Sequence, residues 1–173
     1  IQSKPPLPEI IPIYFHSTGG YFSEKLSKAN YEFIKKLDVL IIGPGLGIFD
    51  WKDTLIANIL SNYEGKLVID ADGITPFFSY LKNNELKQEC LITPHSGEFK
   101  KINTKLDSDI IRSLRTFTKK YYIPTLLKSG LAYFSFGDNK VFISDRGDPF
   151  MAKAGTGDGL SGIIGSFWGQ GYS

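Results

Sequence analysis

The sequence predicts an α/β fold in which a mainly parallel sheet is flanked by helices, with a β-hairpin near the C-terminal third. Three observations carry this. Short β-branched apolar runs alternate with helical patterns. The runs are apolar throughout, as strands buried on both faces are. After Lys128 the period changes to that of a hairpin. The strand candidates are Val39–Ile42, Leu67–Ile69, Leu91–Ile92 and Thr125–Leu127, each bounded by Gly, Asp or Pro. Between them, Trp51 to Tyr63, Thr75 to Leu81 and Asp107 to Tyr121 carry apolar residues three and four apart. Asp107 is the expected N-cap of the third helix, and Thr75-Pro76 the expected start of the second. Leu131–Phe136 and Lys140–Ser144, separated by Gly137-Asp138-Asn139, form the expected hairpin. From Ala154 a last helix is expected, with Leu160, Ile163, Ile164, Phe167 and Trp168 as its apolar face.

Composition narrows the function classes. The 173 residues suit one domain, and 20 basic against 18 acidic residues give a net charge of +2. Lys35-Lys36, Lys100-Lys101 and Lys119-Lys120 fall mostly in late helical turns, where they complement the helix dipole rather than make a polyanion surface. No nucleic-acid partner is therefore expected. No apolar stretch nears the ~20 residues of a bilayer span, and no signal peptide is visible, so a cytoplasmic protein without a membrane partner is expected. Cys90 is the single cysteine and reads as a small buried hydrophobe. His16 reads as a surface residue. The chain opens on Ile1 and a Pro-rich stretch and closes just after a helical pattern, so both ends read as cuts in a longer protein.

In open parallel sheets, ligands sit beyond the carboxyl ends of the strands. The polar motifs fall there: Gly43–Gly47, Asp70–Asp72, Thr93–Glu98 and Lys128–Gly130. Four loops are expected to converge on one crevice. Ala154-Gly155-Thr156-Gly157-Asp158 runs into an apolar helix, and glycine N–H groups at a helix start make an anion hole. An Asp beside it suits a general base. The competing reading is a Gly-rich turn with Asp158 as an ordinary first-turn residue. Gly43-Pro44-Gly45-Leu46-Gly47 follows a strand, but Ile48 stands where a dinucleotide fingerprint needs its last glycine. Close ligand approach and a plain tight turn both remain open. Asp70 and Asp72 suit Mg²⁺ or ribose hydroxyls, with helix capping by Asp72 as the alternative. His95 suits a site, while Glu98 three residues on suits a capped first turn. No zinc-ligand spacing, nucleophile elbow or Walker A sequence is present, and no metal-ligand residues are assigned.

Taken together, Ile42–Gly47, Ile69–Gly73, Leu91–Phe99 and Met151–Asp158 resemble the ADP-dependent NAD(P)H-hydrate dehydratases, in the same order and at matching intervals. The resemblance covers nearly the whole chain. It implies that residues 1–173 form one ribokinase-like domain lacking N-terminal and C-terminal segments. It implies dehydration of hydrated NADH or NADPH, with ADP (or ATP) and Mg²⁺ consumed or required and AMP and phosphate released. By the same resemblance, Gly45, Gly47, His95 and Asp158 contact the hydrated dinucleotide, and Asp158 is catalytic. Lys128, Ser129, Gly130, Leu131 and Ala132, with Gly155, Thr156 and Gly157, hold the adenine nucleotide. Ser129 and Ala132 replace the family's usual Gly and Thr, and Lys153 and Gly159 replace small and aliphatic residues. A fused or separate NAD(P)H-hydrate epimerase and further copies of the chain are the expected protein partners. The alternatives are a small-molecule kinase of the same superfamily and a non-catalytic nucleotide-binding fragment.

Overall fold

A computed structural model describes residues 13, 15, 17–18, 21–22, 26–103, 109–148 and 153–172. Its centre is a six-stranded sheet of β3 (Val39–Ile42), β4 (Lys66–Ile69), β5 (Cys90–Ile92), β6 (Thr125–Lys128), β7 (Ala132–Ser135) and β8 (Phe142–Ser144), in that spatial order. The first four strands pair in parallel and the last two add antiparallel at one edge. The expected hairpin is thus an extension of the main sheet. A two-stranded hairpin, β1 (Ser17–Thr18) with β2 (Tyr21–Phe22), precedes it. Helix α1 (Lys28–Ile34) follows, capped by the Ser27 hydroxyl accepting from the Asn30 N–H. Neither element is expected from the sequence, since both are too short to show a period.

Helices α2 (Lys52–Asn62), α3 (Ile74–Leu81), α4 (Ser96–Ile102) and α5 (Ile110–Tyr121) share one core with Ile42, Leu67, Ile69, Cys90, Ile92 and Leu127. Phe117 of α5 lies against Phe99 of α4 at 4.9 Å and Phe78 of α3 at 5.6 Å between ring centres, so aromatic contacts lock three helices to each other. The Cys90 thiol is buried here, and burial pushes its pKa up, which suits the packing role. Lys100-Lys101 and Lys119-Lys120 do fall in the last turns of α4 and α5.

Two helix starts differ from expectation. Asp107 lies outside the described residues, and α5 is capped by Asp109, whose carboxylate accepts from the Arg112 N–H at 3.0 Å. Thr75-Pro76 does not cap α3. A 3₁₀ turn, Ala71–Gly73, opens under the Asp70 side chain and runs straight into the helix. His16 also lies outside the described residues.

The larger correction is α6 (Thr156–Gly169), which crosses back over the other face of the sheet onto β3 and β4. Its buried residues are Ser161 and Gly165, while Ile163 and Phe167 are 57% and 52% exposed. The helix packs by its small side. A Cβ at Gly165 would stand 2.9 Å from Ile41 Cδ1, so glycine there sets how closely helix and sheet approach. Of the expected apolar face, Leu160, Ile164 and Trp168 are half-buried, and Ile163 and Phe167 are turned outward.

Candidate active site

Adjacent parallel strands β3 to β6 deliver their following loops to one edge of the sheet, and the four loops touch. The first loop passes so close to the second that residue 43 must be glycine. A Cβ on Gly43 would fall 1.7 Å from the Asp70 carbonyl oxygen, and its φ of +122° is one that side chains rarely adopt. The loop closes with the Leu46 N–H donating to Gly43 O at 3.0 Å. Gly47 N–H donates to Asp72 Oδ2 at 3.0 Å, so Asp72 supports the glycine loop rather than capping a helix. Gly45 sits exposed at the tip, with nothing within 4 Å of where a Cβ would stand.

Asp70 and Asp72 therefore do not act as one pair. The 3₁₀ turn between them sends Asp72 to the glycine loop and Asp70 inward. Asp70 is 1% exposed. Its Oδ1 accepts from Ala71 N–H at 2.8 Å and Lys128 Nζ at 2.7 Å, and its Oδ2 from the Ser161 hydroxyl at 2.7 Å. These contacts engage both oxygens of a carboxylate turned away from solvent, which disfavours the expected Mg²⁺ or ribose role for Asp70. Burial alone would raise its pKa, but the Lys128 and Ser161 hydrogen bonds, the Lys128 charge and the Ala71 N–H together hold it below the ordinary value. A carboxylate whose folded pKa is depressed stabilises the fold above its unfolded value of about 3.9, and that contribution fades as pH falls through the lower folded value. Asp70→Asn is accordingly expected to lower the midpoint of urea unfolding at pH 7. The gap to the parent should narrow steadily below about pH 4; a gap independent of pH contradicts the pairing.

His95 ends the β5 loop and starts α4. Its Nδ1 accepts from the N–H groups of Gly97 at 2.9 Å and Glu98 at 3.2 Å, while Glu98 Oε2 accepts from His95 N–H at 2.8 Å. This is a capping box with imidazole in place of the usual hydroxyl. The site reading and the cap reading are compatible, because the ring is exposed although its Nδ1 holds the cap and its Nε2 lies 3.3 Å from Glu98 Oε1. His95→Ala should cost about 0.5–2 kcal/mol in chemical denaturation for loss of the cap. His95→Asn should recover most of that stability, because an Asn side chain caps in the same way; failure to do so means the ring holds α4 by packing.

Lys128 ends β6 and is tied to the third loop: its N–H donates to Pro94 O at 2.8 Å, and a β-bridge pairs it with His95. The stretch from Lys128 to Ala132 turns the chain into β7, with Ser129, Gly130 and Leu131 exposed and the Ser129 N–H donating to Leu131 O at 3.1 Å. Across from it, Gly155 caps α6 at a left-handed φ of +88°. The N–H groups of the first turn, as in any helix, point out of its N-terminal end. Thr156 N–H donates back to Lys153 O at 3.2 Å. Gly157 follows in the first turn, and a Cβ there would lie 3.3 Å from Lys128 Nζ. The ammonium of Lys128 thus sits against the helix start. Asp158 is exposed on the same turn.

Sequence reasoning missed Ser161 and treated Thr93 only as part of a loop. Both are fully buried, with their hydroxyls 3.5 Å apart. The readable signal was spacing, since Gly157, Ser161, Gly165 and Gly169 recur every four residues along one side of α6. No helix among the described residues is long and apolar enough to cross a membrane.

Comparison with known proteins agrees with this geometry. The family model described as NAD(P)H-hydrate dehydratase matches residues 6–173. Bifunctional NAD(P)H-hydrate repair enzymes from Methanocaldococcus jannaschii and Dictyoglomus turgidum are each 31% identical, over 90% and 96% of this chain but only 29% and 33% of their own lengths. The chain thus spans about a third of these relatives. A ribokinase-like superfamily protein from Enterococcus faecalis superposes with a TM-score of 0.73 at 28% identity, over 82% of this chain and 51% of its own. An ADP/ATP-dependent NAD(P)H-hydrate dehydratase from Bacillus subtilis, co-crystallised with ATP and Mg²⁺, shares the fold at 22% identity and a TM-score of 0.64, over 76% of this chain and 47% of its own. The fold is ribokinase-like, and the chain belongs to the NAD(P)H-hydrate dehydratase family.

Proposed function

We propose that this site dehydrates hydrated NADH or NADPH at the expense of ADP, releasing AMP and phosphate. The observation that carries the proposal is the Lys128 ammonium packed against the Gly155–Asp158 helix start, with the glycine loop and His95 along the same sheet edge. A helix N-terminus and a cation together suit the β-phosphoryl group of ADP. In this reading Lys128 to Ala132, with Gly155, Thr156 and Gly157, hold the nucleotide. Gly45, Gly47 and His95 hold the hydrated dinucleotide, and Asp158 addresses its hydroxyl.

Asp158 takes the hydroxyl proton as the oxygen attacks the β-phosphorus, and the bond to AMP breaks with its electron pair leaving on AMP. The ring carbon–oxygen bond then breaks with its electron pair on phosphate, a ring C–H proton is lost, and the dihydropyridine is restored. Phosphate leaves where hydroxide would not. Lys128 and the N–H groups of the α6 first turn stabilise charge on the transferring group.

Among the described residues no three His, Cys, Asp or Glu side chains are grouped to hold a metal ion, and the buried Asp70 already accepts three hydrogen bonds from protein groups. This donor set fits Mg²⁺ carried on the nucleotide phosphates rather than in a protein cage. Bound there, Mg²⁺ neutralises phosphate charge. The bifunctional names of the relatives support a NAD(P)H-hydrate epimerase as companion activity, fused or separate.

Product analysis tests the reaction class. With ADP, Mg²⁺ and the hydrate, AMP and inorganic phosphate should appear in equal amounts. A stable phosphorylated alcohol without free phosphate would assign a kinase instead.

A further inference from the structure

We propose that Asp70 is a positioning residue which, with Ser161 as a second strut, holds the Lys128 ammonium against the first turn of α6. The inference rests on the reading that phosphate binds at that turn, and it adds a role for two residues outside the ligand-contacting set.

Asp70 is too deeply buried to meet a ligand, so any effect it has must pass through its partners. Its strongest partner is Lys128, at 2.7 Å. The lysine side chain has four rotatable bonds, and left unpaired at 23% exposure it would spread over many rotamers. Pairing with Asp70 selects one. In that one, Nζ stands 3.3 Å from a Cβ position on Gly157, and Asp70 Oδ2 stands 4.0 Å from the same point. A bare carboxylate that close to the helix start would repel phosphate. Lysine offsets it and, having three donors, keeps two N–H groups for other acceptors.

Ser161 makes the arrangement depend on α6. Its hydroxyl donates to Asp70 Oδ2 at 2.7 Å and lies 3.5 Å from Thr93 Oγ1 beyond β5. One buried polar chain thus joins the ends of β4, β5 and β6 to the second turn of the helix whose first turn forms the anion hole. Ammonium and helix start are fixed to the same carboxylate, so their separation is set by two short hydrogen bonds rather than by loop conformation.

A double-mutant cycle of Asp70→Asn with Lys128→Met tests this, read by calorimetric titration with ADP and by kcat/KM, with circular dichroism to confirm folding. If Asp70 acts through Lys128, Asp70→Asn weakens ADP binding by at least about tenfold. Lys128→Met weakens it at least as much, and the double variant matches Lys128→Met within about twofold. Losses that multiply, or an Asp70→Asn protein with normal ADP affinity, overturn the proposal. Should Asp70→Asn fail to fold, Ser161→Ala replaces it in the same cycle. Its loss of about threefold should vanish in the Lys128→Met background, and no loss in either background overturns the proposal. A parent protein that binds ADP but leaves the hydrate unchanged sinks only the proposed reaction, because the binding cycle still decides Asp70. A parent that does not bind ADP overturns both.

Discussion

Asp158→Asn is expected to abolish turnover of the hydrate while ADP binding stays within about tenfold of the parent, since loss of a general base typically costs 10²–10⁴ in rate. Asn has the shape of Asp but accepts no proton at neutral pH. The position favours this outcome. Asp158 is exposed in the first turn of α6, beyond Gly157 and away from the buried Asp70 network that holds the helix to the sheet. Stability should change little, limited to the few tenths to 1 kcal/mol that an acid gains near a helix N-terminus. Single-turnover measurement separates chemistry from product release. A variant retaining more than a tenth of the normal rate would show that another group takes the proton.

Gly157→Val is expected to remove the rise in melting temperature that ADP confers, while the circular-dichroism spectrum stays native. Gly157 does not need its glycine for backbone reasons, because the left-handed residue of this turn is Gly155. A helical first-turn position accepts valine without a propensity cost, because valine ranks above glycine in a helix. What valine cannot do is leave Lys128 where it is. The first added carbon falls 3.3 Å from Nζ, and two further methyl groups extend from it. They push the ammonium aside and crowd the end of the helix where phosphate is proposed to bind. A folded valine variant still stabilised by ADP would reduce the glycine stretch to a turn.

How much of this was legible before the structure depends on the kind of signal. Val39–Ile42 is recovered to the residue, because a β-branched run bounded by Gly43 has one reading. The four converging loops also follow from strand order alone. Helix α6 was readable in extent but only in part in orientation. Periodicity finds bulky residues, while a helix lying flat on a sheet is chosen by its small side, here Ser161 and Gly165. Asp70 and Asp72 stand two apart in sequence, which says nothing of the 3₁₀ turn that sends one to Lys128 and the other to Gly47. His95 was open between cap and site because its Nδ1 holds the cap while the ring stays exposed, with Nε2 3.3 Å from Glu98 Oε1.

In the proposed reaction this site restores NADH from its hydrate with ADP as the consumed reagent. That reaction is tested most directly by mixing the protein with purified hydrated NADH, ADP and Mg²⁺ and following the absorbance of the dihydropyridine. Absorbance is expected to return in proportion to AMP formed, and to stay flat when ADP is omitted or Asp158→Asn is used. Return of absorbance without ADP, or AMP formation with no return, would contradict that reaction.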